Sequence, residues 1–314
     1  MSYPAGPSGV VAVVVAYNRR ELLSQTLDGL LAQSVRPDGV VVIDNASTDG
    51  SGELARAHAL APHVITLPTN TGGAGGFAAG IAVAVAEHGA EAVWIMDDDT
   101  IPQPGALEAL LAARDAYPGD VAICASQAVW HDGCEHPMNA PRERPGVSRE
   151  LREHAAAVGA VQIRSASFVS ILIDARAVRE DGLPIADYFL WNDDFEYTSR
   201  ILRNRVGLYV RESRVLHATK EFGGSAFNPG SRFYNEVRNK AWLFRRSGAL
   251  SGLEKTLYGG RTALRWVSLL VRSPERGELV GLARRALADA KAAPRSNAEV
   301  FAGTAIEAAV KEFA

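Results

Sequence analysis

The first hundred residues alternate between short apolar runs and segments with helical periodicity, and this alternation constrains the fold more than any other feature. Apolar, largely β-branched runs occupy residues 10–16, 40–43, 64–67 and 92–96, with helical patterns between them. Strands that alternate with helices of this length imply right-handed βαβ crossovers. We therefore predict an α/β, Rossmann-like fold with a mostly parallel sheet and helices on both faces.

Polar clusters follow the ends of these predicted strands. They comprise residues 17–19, 44–50, 70–76 and 97–99, each directly or closely after an apolar run. The carboxyl ends of parallel strands share one edge of a sheet, and ligands of open α/β sheets bind at that edge. We therefore expect these clusters to form one site.

Three consecutive carboxylates, Asp97, Asp98 and Asp99, close the run at residues 92–96. Adjacent anions repel one another, so the arrangement is costly unless a positive group lies between them. A hard divalent cation that bridges the carboxylates to the phosphates of a ligand would remove the conflict. The alternative is a solvated turn, since Asp favours turns and Pro102 follows.

A glycine-rich stretch precedes the triplet. Residues 73–78 match the dinucleotide fingerprint G-x-G-x-x-A, and Asp97 follows about 20 residues later, as that site requires. The match lies in the third βα unit instead of the first, and a ribose needs one carboxylate instead of three. We therefore favour glycines that approach a phosphate or sugar, or that form a tight turn against the sheet.

A second acidic cluster, Asp193, Asp194 and Glu196, opens a predicted helix. The helix dipole and free N–H groups favour acids there, so capping explains Asp193 and Glu196 without any function. Asp194 lies between Trp191 and Phe195 in the sequence. Apolar surroundings would raise its pKa towards that of a general base.

Histidines give weaker signals. His217 closes a later predicted strand and is either a third metal ligand beside the carboxylates or a core histidine. The segment from His131 to Glu153 is rich in Pro, Arg, Glu and Gly, which predicts a mobile surface segment. Metal binding by His131 and His136 is one alternative, but lone histidines in a polar loop are expected to be solvated.

Composition indicates a soluble globular protein, with 47% hydrophobic and 22% charged residues. Two cysteines form neither a disulfide framework nor a zinc cluster, which favours a reducing, cytoplasmic compartment. The apolar run Val10–Ala16 is too short to span a bilayer, and no signal peptide is expected before it.

The net charge of -3 hides an asymmetry, because residues 232–295 carry 14 Lys and Arg against 5 Asp and Glu. We expect this basic part to bind an anionic partner. The partner is not expected to be a nucleic acid, because the sequence contains no nucleic-acid recognition motif. Predicted helices cover residues 233–246, 253–272, 275–293 and 298–313.

The second of these helices combines Arg261, Arg265 and Arg272 with leucines and Trp266. Basic residues beside an apolar surface suit a helix that lies on an anionic membrane. A helix packed on the catalytic domain, with its arginines at the rim, explains the pattern equally well.

Together these motifs resemble family 2 glycosyltransferases of the GT-A fold over about residues 10 to 220. The matching elements are Val15–Arg19, Val42–Asp49, the Asp97–Asp99 triplet, and Asn192–Glu196 followed by His217. Asn70–Phe77 with the full triplet is most similar to bacterial galactofuranosyltransferases. Arg232–Tyr234 and Arg238-Asn239 are similar to the priming enzymes of actinobacterial galactan. Rhamnosyltransferases have similar motifs.

The resemblance implies inverting transfer from a UDP-sugar with Mg²⁺ or Mn²⁺, and it assigns expected roles. The metal ligands are Asp97, Asp99 and His217. The donor-binding residues are Ala16, Tyr17, Asp44, Asn70, Gly72, Gly73 and Asp98, with Asp44 accepting from the base. Asp194 is the catalytic base, and Asp193 holds an acceptor hydroxyl. Trp191, Tyr234 and Arg238 contact the acceptor, although Asn192 between Trp191 and the acid pair departs from the family pattern.

We expect a catalytic domain over residues 1–225 and a basic helical region over 226–314. The expected acceptor is a polyprenyl diphosphate-linked saccharide at the inner face of the cell membrane. A nucleotidyltransferase would also use a metal between carboxylates, but the sequence has no basic glycine-rich motif near its first strand. A non-catalytic nucleotide-binding protein needs no base, so loss of turnover in Asp194→Asn would exclude it.

Overall fold

The structure is a computed structural model that describes residues 9–219 and 229–314. Within these residues, ten strands form one sheet. The strands are β1 (Val10–Ala16), β2 (Gly39–Asp44), β3 (His63–Thr66), β4 (Ala92–Asp97), β5 (Thr100–Pro102), β6 (Val121–Val129), β7 (Arg142–Glu143), β8 (Ala160–Ser165), β9 (Ser170–Asp174) and β10 (Val206–His217).

Helices cover both faces of this sheet and form the C-terminal part. They are α1 (Arg20–Leu31), α2 (Ser51–Ala57), α3 (Gly72–Ala86), α4 (Ala106–Ala116), α5 (Arg149–Ala157), α6 (Ala175–Asp181), α7 (Asp193–Ile201), α8 (Phe233–Arg245), α9 (Gly252–Arg272), α10 (Arg276–Asp289), α11 (Asn297–Val300) and α12 (Glu307–Lys311). Short 3₁₀ turns occupy Ala186–Tyr188 and Gly230–Arg232.

The N-terminal half of the sheet is parallel, as predicted. Strands β3, β2, β1 and β4 lie side by side in that order and run in one direction. In this register Ala16 is opposite Asp44, and Val15 is opposite Asp97. The polar clusters that follow these strands therefore meet at one edge.

The other half makes the sheet mixed. Strand β9 runs antiparallel to both β4 and β6, and β8 runs antiparallel to β10, although β10 and β6 are parallel. The α/β class and the helices on both faces agree with the prediction. The expected dominance of parallel pairing stops at β4, because the next strand beside it, β9, enters the sheet in the opposite direction.

Two cores lie on opposite faces of the sheet, because alternate residues of a strand point to opposite sides. In β1, Val13 and its i±2 neighbours pack against α3 and belong to a core that also includes residues of α6 and α7. Val14 and its i±2 neighbours belong to a core that also includes residues of α1, α4 and α5. All seven residues of β1 are buried, which explains why its sequence is a continuous apolar run without alternation.

Helix α3 begins at Gly72, one residue before the fingerprint match at residues 73–78. The match to the dinucleotide fingerprint therefore lies inside the helix and not in a turn before it. A Cβ atom at Gly76 or Gly80 would collide with the side chains of Val15 and Val13, respectively. The glycines thus allow α3 to lie close against β1, which is the packing role considered above.

The C-terminal part is mostly helical. Helices α8, α9 and α10 share a small core that includes Phe233, Leu279 and Trp266. The predicted helix over 298–313 is instead two short helices, and Phe301 and Val310 join the core beside α3. The proposed boundary at residues 225 and 226 lies outside the described residues. Among the described helices, none is both long and apolar enough to cross a bilayer.

Candidate active site

The end of β1 meets the ends of β2 and β4 at the expected edge. The backbone N–H of Tyr17 donates to Oδ2 of Asp98 over 2.8 Å, and the N–H of Asn45 donates to the carbonyl of Ala16 over 2.9 Å. Asp44 is buried and accepts from the N–H of Ser47 over 2.9 Å. These contacts bring the proposed base-binding residues Ala16, Tyr17 and Asp44 beside the acidic triplet.

A positive group does lie among the three carboxylates. The guanidinium of Arg19 bonds to Oδ1 of Asp98 over 3.2 Å and also pairs with Oδ2 of Asp99. Burial nevertheless raises the pKa of Asp98 to about 6. For Asp97, burial and the repulsion of Asp99 and Asp98 raise the pKa well above its ordinary value. One arginine therefore does not neutralise the cluster.

Asp97, Asp99 and His217 each present one ligand atom, and these atoms all lie within 4.8 Å of one another. Oδ1 of Asp99 is buried and accepts no hydrogen bond from any described residue, while Oδ2 faces Arg19. An orphaned carboxylate oxygen beside a second carboxylate and an imidazole nitrogen is the donor set that suits Mn²⁺ or Mg²⁺. The residues therefore fit a divalent cation.

Strand pairing and a hydrogen bond orient His217. In the β10–β5 ladder His217 is opposite Thr100, directly after the triplet, and its Nε2 lies 3.3 Å from Oδ1 of Asp99. Burial alone would raise the pKa of Asp99, but His217 and Arg19 lower it. On the other side of the ring, Nδ1 lies 2.9 Å from Oδ1 of Asn139.

The segment 131–153 contributes to the site and is not only a surface loop. It contains Asn139 and β7, and it leads into α5. The expectation that His136 is solvated is wrong, because His136 is buried, with its ring centroid 5.2 Å from that of His217. The polar sequence misled the prediction because His136 is the one buried residue between positions 131 and 153, so no pattern of buried positions marks it.

The start of α3 connects the donor side to the second acidic cluster. Oδ1 of Asn70 accepts from the N–H of Gly72 over 2.7 Å. Gly72 has a φ of +70°, and a Cβ there would collide with the carbonyl of Phe189. A Cβ on Gly73 would lie 3.9 Å from Oδ2 of Asp193. Glycine at position 72 therefore allows the two segments to approach this closely.

The loop before α7 has a strained backbone. Phe189, Trp191 and Asn192 have φ values of 65°, 71° and 64°, which are unfavourable for residues with a Cβ atom. The buried side chain of Asn239 holds this loop, because its Nδ2 donates to the carbonyls of Tyr188, Leu190 and Trp191 over 2.7–3.0 Å. Asn239 thus holds the strained backbone directly before Asp193, the first residue of the acid pair.

The acid pair itself is partly buried. Burial, together with the repulsion of Asp194, raises the pKa of Asp193 to about 8. Burial also raises the pKa of Asp194, while Arg142 and Lys240 oppose the rise. Asp193 adds to the repulsion that raises the pKa of Asp97. The two acidic clusters are therefore close enough to interact electrostatically.

The other predicted site residues have structural partners. Nη2 of Arg238 donates to the carbonyl of Asp187 over 2.8 Å, and its guanidinium lies 4.5 Å from the ring centroid of Trp242. The hydroxyl of Tyr234 donates to Asp289 over 2.7 Å. The carboxylate of Glu196 accepts from Arg200 over 2.9 Å, one turn further along α7.

Comparison with known proteins identifies the family. The profile described as Glycosyl transferase family 2 matches residues 11–153. Galactofuranosyltransferase GlfT1 of Mycobacterium tuberculosis is 30% identical over 294 residues, which cover 85% of this chain and 91% of the relative. The chain belongs to glycosyltransferase family 2. An undecaprenyl-phosphate mannosyltransferase of Micrococcus luteus is 36% identical over 107 residues, covering 33% of this chain and 43% of the relative.

Solved structures show that this family 2 glycosyltransferase has the GT-A fold. Staphylococcus aureus TarS residues 1–349 superpose with a TM-score of 0.60 and 17% identity, covering 96% of this chain and 87% of that one. Mannosyltransferase PcManGT of Pyrobaculum calidifontis, in complex with GDP-Man and Mn²⁺, gives a TM-score of 0.53 and 18% identity, covering 99% and 89%.

Three residues of the glycosyltransferase site were not assigned a role from the sequence. Arg19 lies in the first polar cluster, so its position at the shared edge was a usable signal. Asn239 lies in the Arg238-Asn239 pair, but nothing in the sequence indicates that it holds residues 188–191. Asn139 gave no signal, because its partner His217 is 78 positions away.

Proposed function

We propose that this glycosyltransferase is a metal-dependent, inverting galactofuranosyltransferase that acts on a polyprenyl diphosphate-linked glycan. The observation that carries the proposal is the close approach of two acidic clusters at one sheet edge. One cluster, Asp97, Asp99 and His217, fits a cation, and the other, Asp193 and Asp194, lies at the start of α7. A donor diphosphate and an acceptor hydroxyl need these two environments side by side.

On the donor side, Asp97, Asp99 and His217 would hold Mn²⁺ or Mg²⁺. The cation would neutralise the negative charge of the departing diphosphate. Asp44 accepts from the uracil N3–H, with the backbone of Ala16 and Tyr17 completing the base pocket. Asp98 orients this pocket through the N–H of Tyr17, and the segment from Asn70 to Gly73 borders the sugar.

On the acceptor side, Asp194 takes the proton of the attacking hydroxyl, and Asp193 positions that hydroxyl. The support is that burial and the repulsion of Asp194 raise the pKa of Asp193 to about 8, which favours the neutral carboxyl group, a form that can donate a hydrogen bond. Arg142 and Lys240 favour the ionised form of Asp194. One carboxyl group is thus kept neutral while the other is an acceptor of protons. Trp191, Tyr234 and Arg238 border the acceptor.

The donor assignment rests on similarity to the mycobacterial galactofuranosyltransferase. Its test is a panel of UDP-galactofuranose, dTDP-rhamnose, UDP-galactopyranose and UDP-N-acetylglucosamine with one synthetic lipid-linked disaccharide. We expect turnover with UDP-galactofuranose to exceed that with each of the others. Preference for dTDP-rhamnose would replace the proposal with a rhamnosyltransferase, and Asp194→Asn is the control for enzyme-dependent transfer.

We further propose that residues 1–225 bind the donor and perform the transfer, and that residues 226–314 bring the enzyme to an anionic membrane surface. Helix α9 exposes five large apolar side chains, between 58% and 73% accessible, on one face: Leu253, Leu257, Leu264, Val267 and Val271. The exposed Arg261 and Arg272 flank that face. An acceptor built on a polyprenyl chain requires such a surface, and the relative from Micrococcus luteus is named an undecaprenyl-phosphate mannosyltransferase.

A further inference from the structure

Lys240 is a buried cation that interacts with Asp194 electrostatically but forms no salt bridge with a described residue. It lies on α8 with 7% of its surface exposed, and it forms no ion pair or hydrogen bond with any described residue. Its Nζ instead lies 5.2 Å from the ring centroid of Phe195 and 5.8 Å from that of Phe244. A buried ammonium group loses its hydration free energy. Interactions with two aromatic rings compensate for only part of that free energy.

A second unpaired cation approaches the same ring. The guanidinium carbon of Arg142, on β7, lies 4.7 Å from the centroid of Phe195 and 5.4 Å from that of Tyr258. Arg142 also has no ion pair among the residues that the structure describes. Both cations also lower the pKa of Asp194, so the cluster around the Phe195 ring lies close enough to this carboxylate to affect it.

The two cations repel each other. Burial and the charge of Arg142 lower the pKa of Lys240 to about 8, and Asp194 only partly opposes this effect. The nearby Arg265 cannot relieve the excess, because it is itself a cation and is already paired with Glu236. Asp194 therefore faces two cations, neither of which forms a salt bridge with a described residue.

We propose that Arg142 and Lys240 bind a phosphoryl group of the acceptor substrate. A phosphate or diphosphate offers several anionic oxygens, which can accept from an arginine fork and a lysine ammonium together. The proposal rests on the proposed function for the identity of the acceptor, but the binding of a phosphoryl group does not depend on it.

The position of the site favours the acceptor over the donor. The residues that fit a metal for the donor diphosphate are Asp97, Asp99 and His217, at the ends of β4 and β10. Tyr258, which contacts Arg142, is instead on α9, the helix with the exposed apolar face. A diphosphate bound there would have a lipid surface on one side and Asp194 on the other.

The first test is binding to the full chain in EDTA, so that no metal holds a phosphoryl group at the donor side. Citronellyl diphosphate and inorganic pyrophosphate are titrated calorimetrically into wild type, Lys240→Met, Arg142→Gln and Arg36→Gln. Arg36 is an exposed arginine just before β2, at the opposite edge of the sheet, and serves as the matched charge control. Arg142 is exposed, so its substitution preserves the fold even if Lys240→Met does not.

We expect Lys240→Met and Arg142→Gln each to weaken citronellyl diphosphate binding at least about tenfold, because each removes a charge-assisted contact, and Arg36→Gln to match wild type. Equal affinity in all four proteins, or no binding to wild type, would overturn the proposal. Pyrophosphate binding as tight as that of citronellyl diphosphate would overturn the assignment to a lipid-linked acceptor.

The second test separates this site from the transfer reaction. Two acceptors with the same sugars, one joined through a diphosphate and one through an alkyl ether, are compared by kcat/KM. In Arg142→Gln the preference for the diphosphate acceptor should fall at least about tenfold. Equal losses for both acceptors would mean that Arg142 acts on Asp194 alone. If the enzyme does not use UDP-galactofuranose, both acceptors will show no turnover, but the binding of citronellyl diphosphate in EDTA will be unchanged.

Discussion

Oδ1 of Asn139 lies 2.9 Å from Nδ1 of His217, and this contact determines which ring nitrogen faces the acidic cluster. An amide oxygen only accepts hydrogen bonds, so Nδ1 carries a hydrogen and Nε2 points towards Asp99. In its neutral form the ring therefore presents the Nε2 lone pair beside two carboxylates. Partners of this kind orient metal-binding histidines and increase their basicity.

Asn139→Ala should therefore weaken Mn²⁺ binding by about 10- to 100-fold, because the imidazole loses the partner that fixes its orientation. Calorimetric titration of MnCl₂ into the protein measures this effect. Asn204→Ala, which removes an exposed asparagine from the turn before β10, is the matched control. Unchanged Mn²⁺ affinity in Asn139→Ala would remove Asn139 from the site.

Removal of divalent cations should abolish turnover, and Mn²⁺ or Mg²⁺ should restore it. The physical reason is that one arginine does not neutralise Asp97, Asp98 and Asp99, and Oδ1 of Asp99 accepts no hydrogen bond among the described residues. Asp97→Ala and Asp99→Ala should each lose metal-dependent UDP binding as well as rate. Full turnover in EDTA would contradict the prediction.

Asp194→Asn should lower kcat by about 10² to 10⁴ and leave the affinity for the UDP-sugar nearly unchanged. The amide has the same shape but cannot take the proton of the acceptor hydroxyl. Donor affinity is measured by titration in the absence of acceptor, and kcat by single-turnover kinetics. Equal losses of donor affinity and rate would make Asp194 a donor ligand instead of a base.

The pH dependence follows from the raised pKa of Asp194. A base must be ionised to act, so kcat should rise with pH, and its acidic limb should lie above the ordinary carboxylate range. Arg142 lowers the pKa of Asp194, so Arg142→Gln should move this limb to higher pH. Arg36→Gln should leave the limb unchanged. A limb at the same pH in Arg142→Gln and wild type would show that this arginine does not affect the base.

The sequence predicted the first half of the fold closely because β1, β2 and β4 are largely apolar runs, and helices α1, α2 and α3 separate the four parallel strands. Strand β1 was predicted with its observed bounds, Val10–Ala16. The second half depends on pairings that local sequence does not encode. Ile95 of β4, for example, pairs with Ile171 of β9, and no local pattern distinguishes that partner from another buried strand.

The site was predictable to the extent that its residues are adjacent in sequence or end a strand. Asp97 and Asp99 belong to one triplet, and His217 ends a strand, so all three were candidates. Asn239 acts on carbonyls 48 to 51 positions away, and such contacts have no sequence signature.

Asn239→Ala should therefore reduce both stability and kcat, although Asn239 itself lies outside both acidic clusters. Three carbonyls lose their shared donor, which should lower the free energy of unfolding by about 1–3 kcal/mol. The strained loop should then relax and displace Asp193, so kcat should fall while Mn²⁺ affinity is kept. Denaturant unfolding, kinetics and MnCl₂ titration test this, with Asn204→Ala as control. Wild-type kcat in a destabilised Asn239→Ala would limit Asn239 to a structural role.

The last prediction concerns the membrane-facing side of α9, where the structure changes the expected contact residues. Trp266 packs inwards, with its ring centroid 6.1 Å from that of Phe233, and Arg265 pairs with Glu236. The residues available to a membrane are instead the exposed apolar face defined above and the flanking Arg261 and Arg272. The prediction of an interfacial Trp266 therefore does not fit the observed orientation of the helix.

Exchange of Arg261 and Arg272 for Glu should weaken binding to anionic vesicles by about 30- to 1,000-fold, because two attractions of about 1 kcal/mol each are lost and the new carboxylates add repulsion of up to similar size. Leu257→Ser with Leu264→Ser should weaken binding to anionic vesicles as well, because the apolar contact is lost. Co-sedimentation measures both, and Arg36→Glu with Arg179→Glu, two exposed arginines at the opposite edge of the sheet, is the charge-matched control. If neutral and anionic vesicles bound equally, or if the control lost as much affinity as the α9 variant, the apolar face would have to serve a partner other than an anionic bilayer.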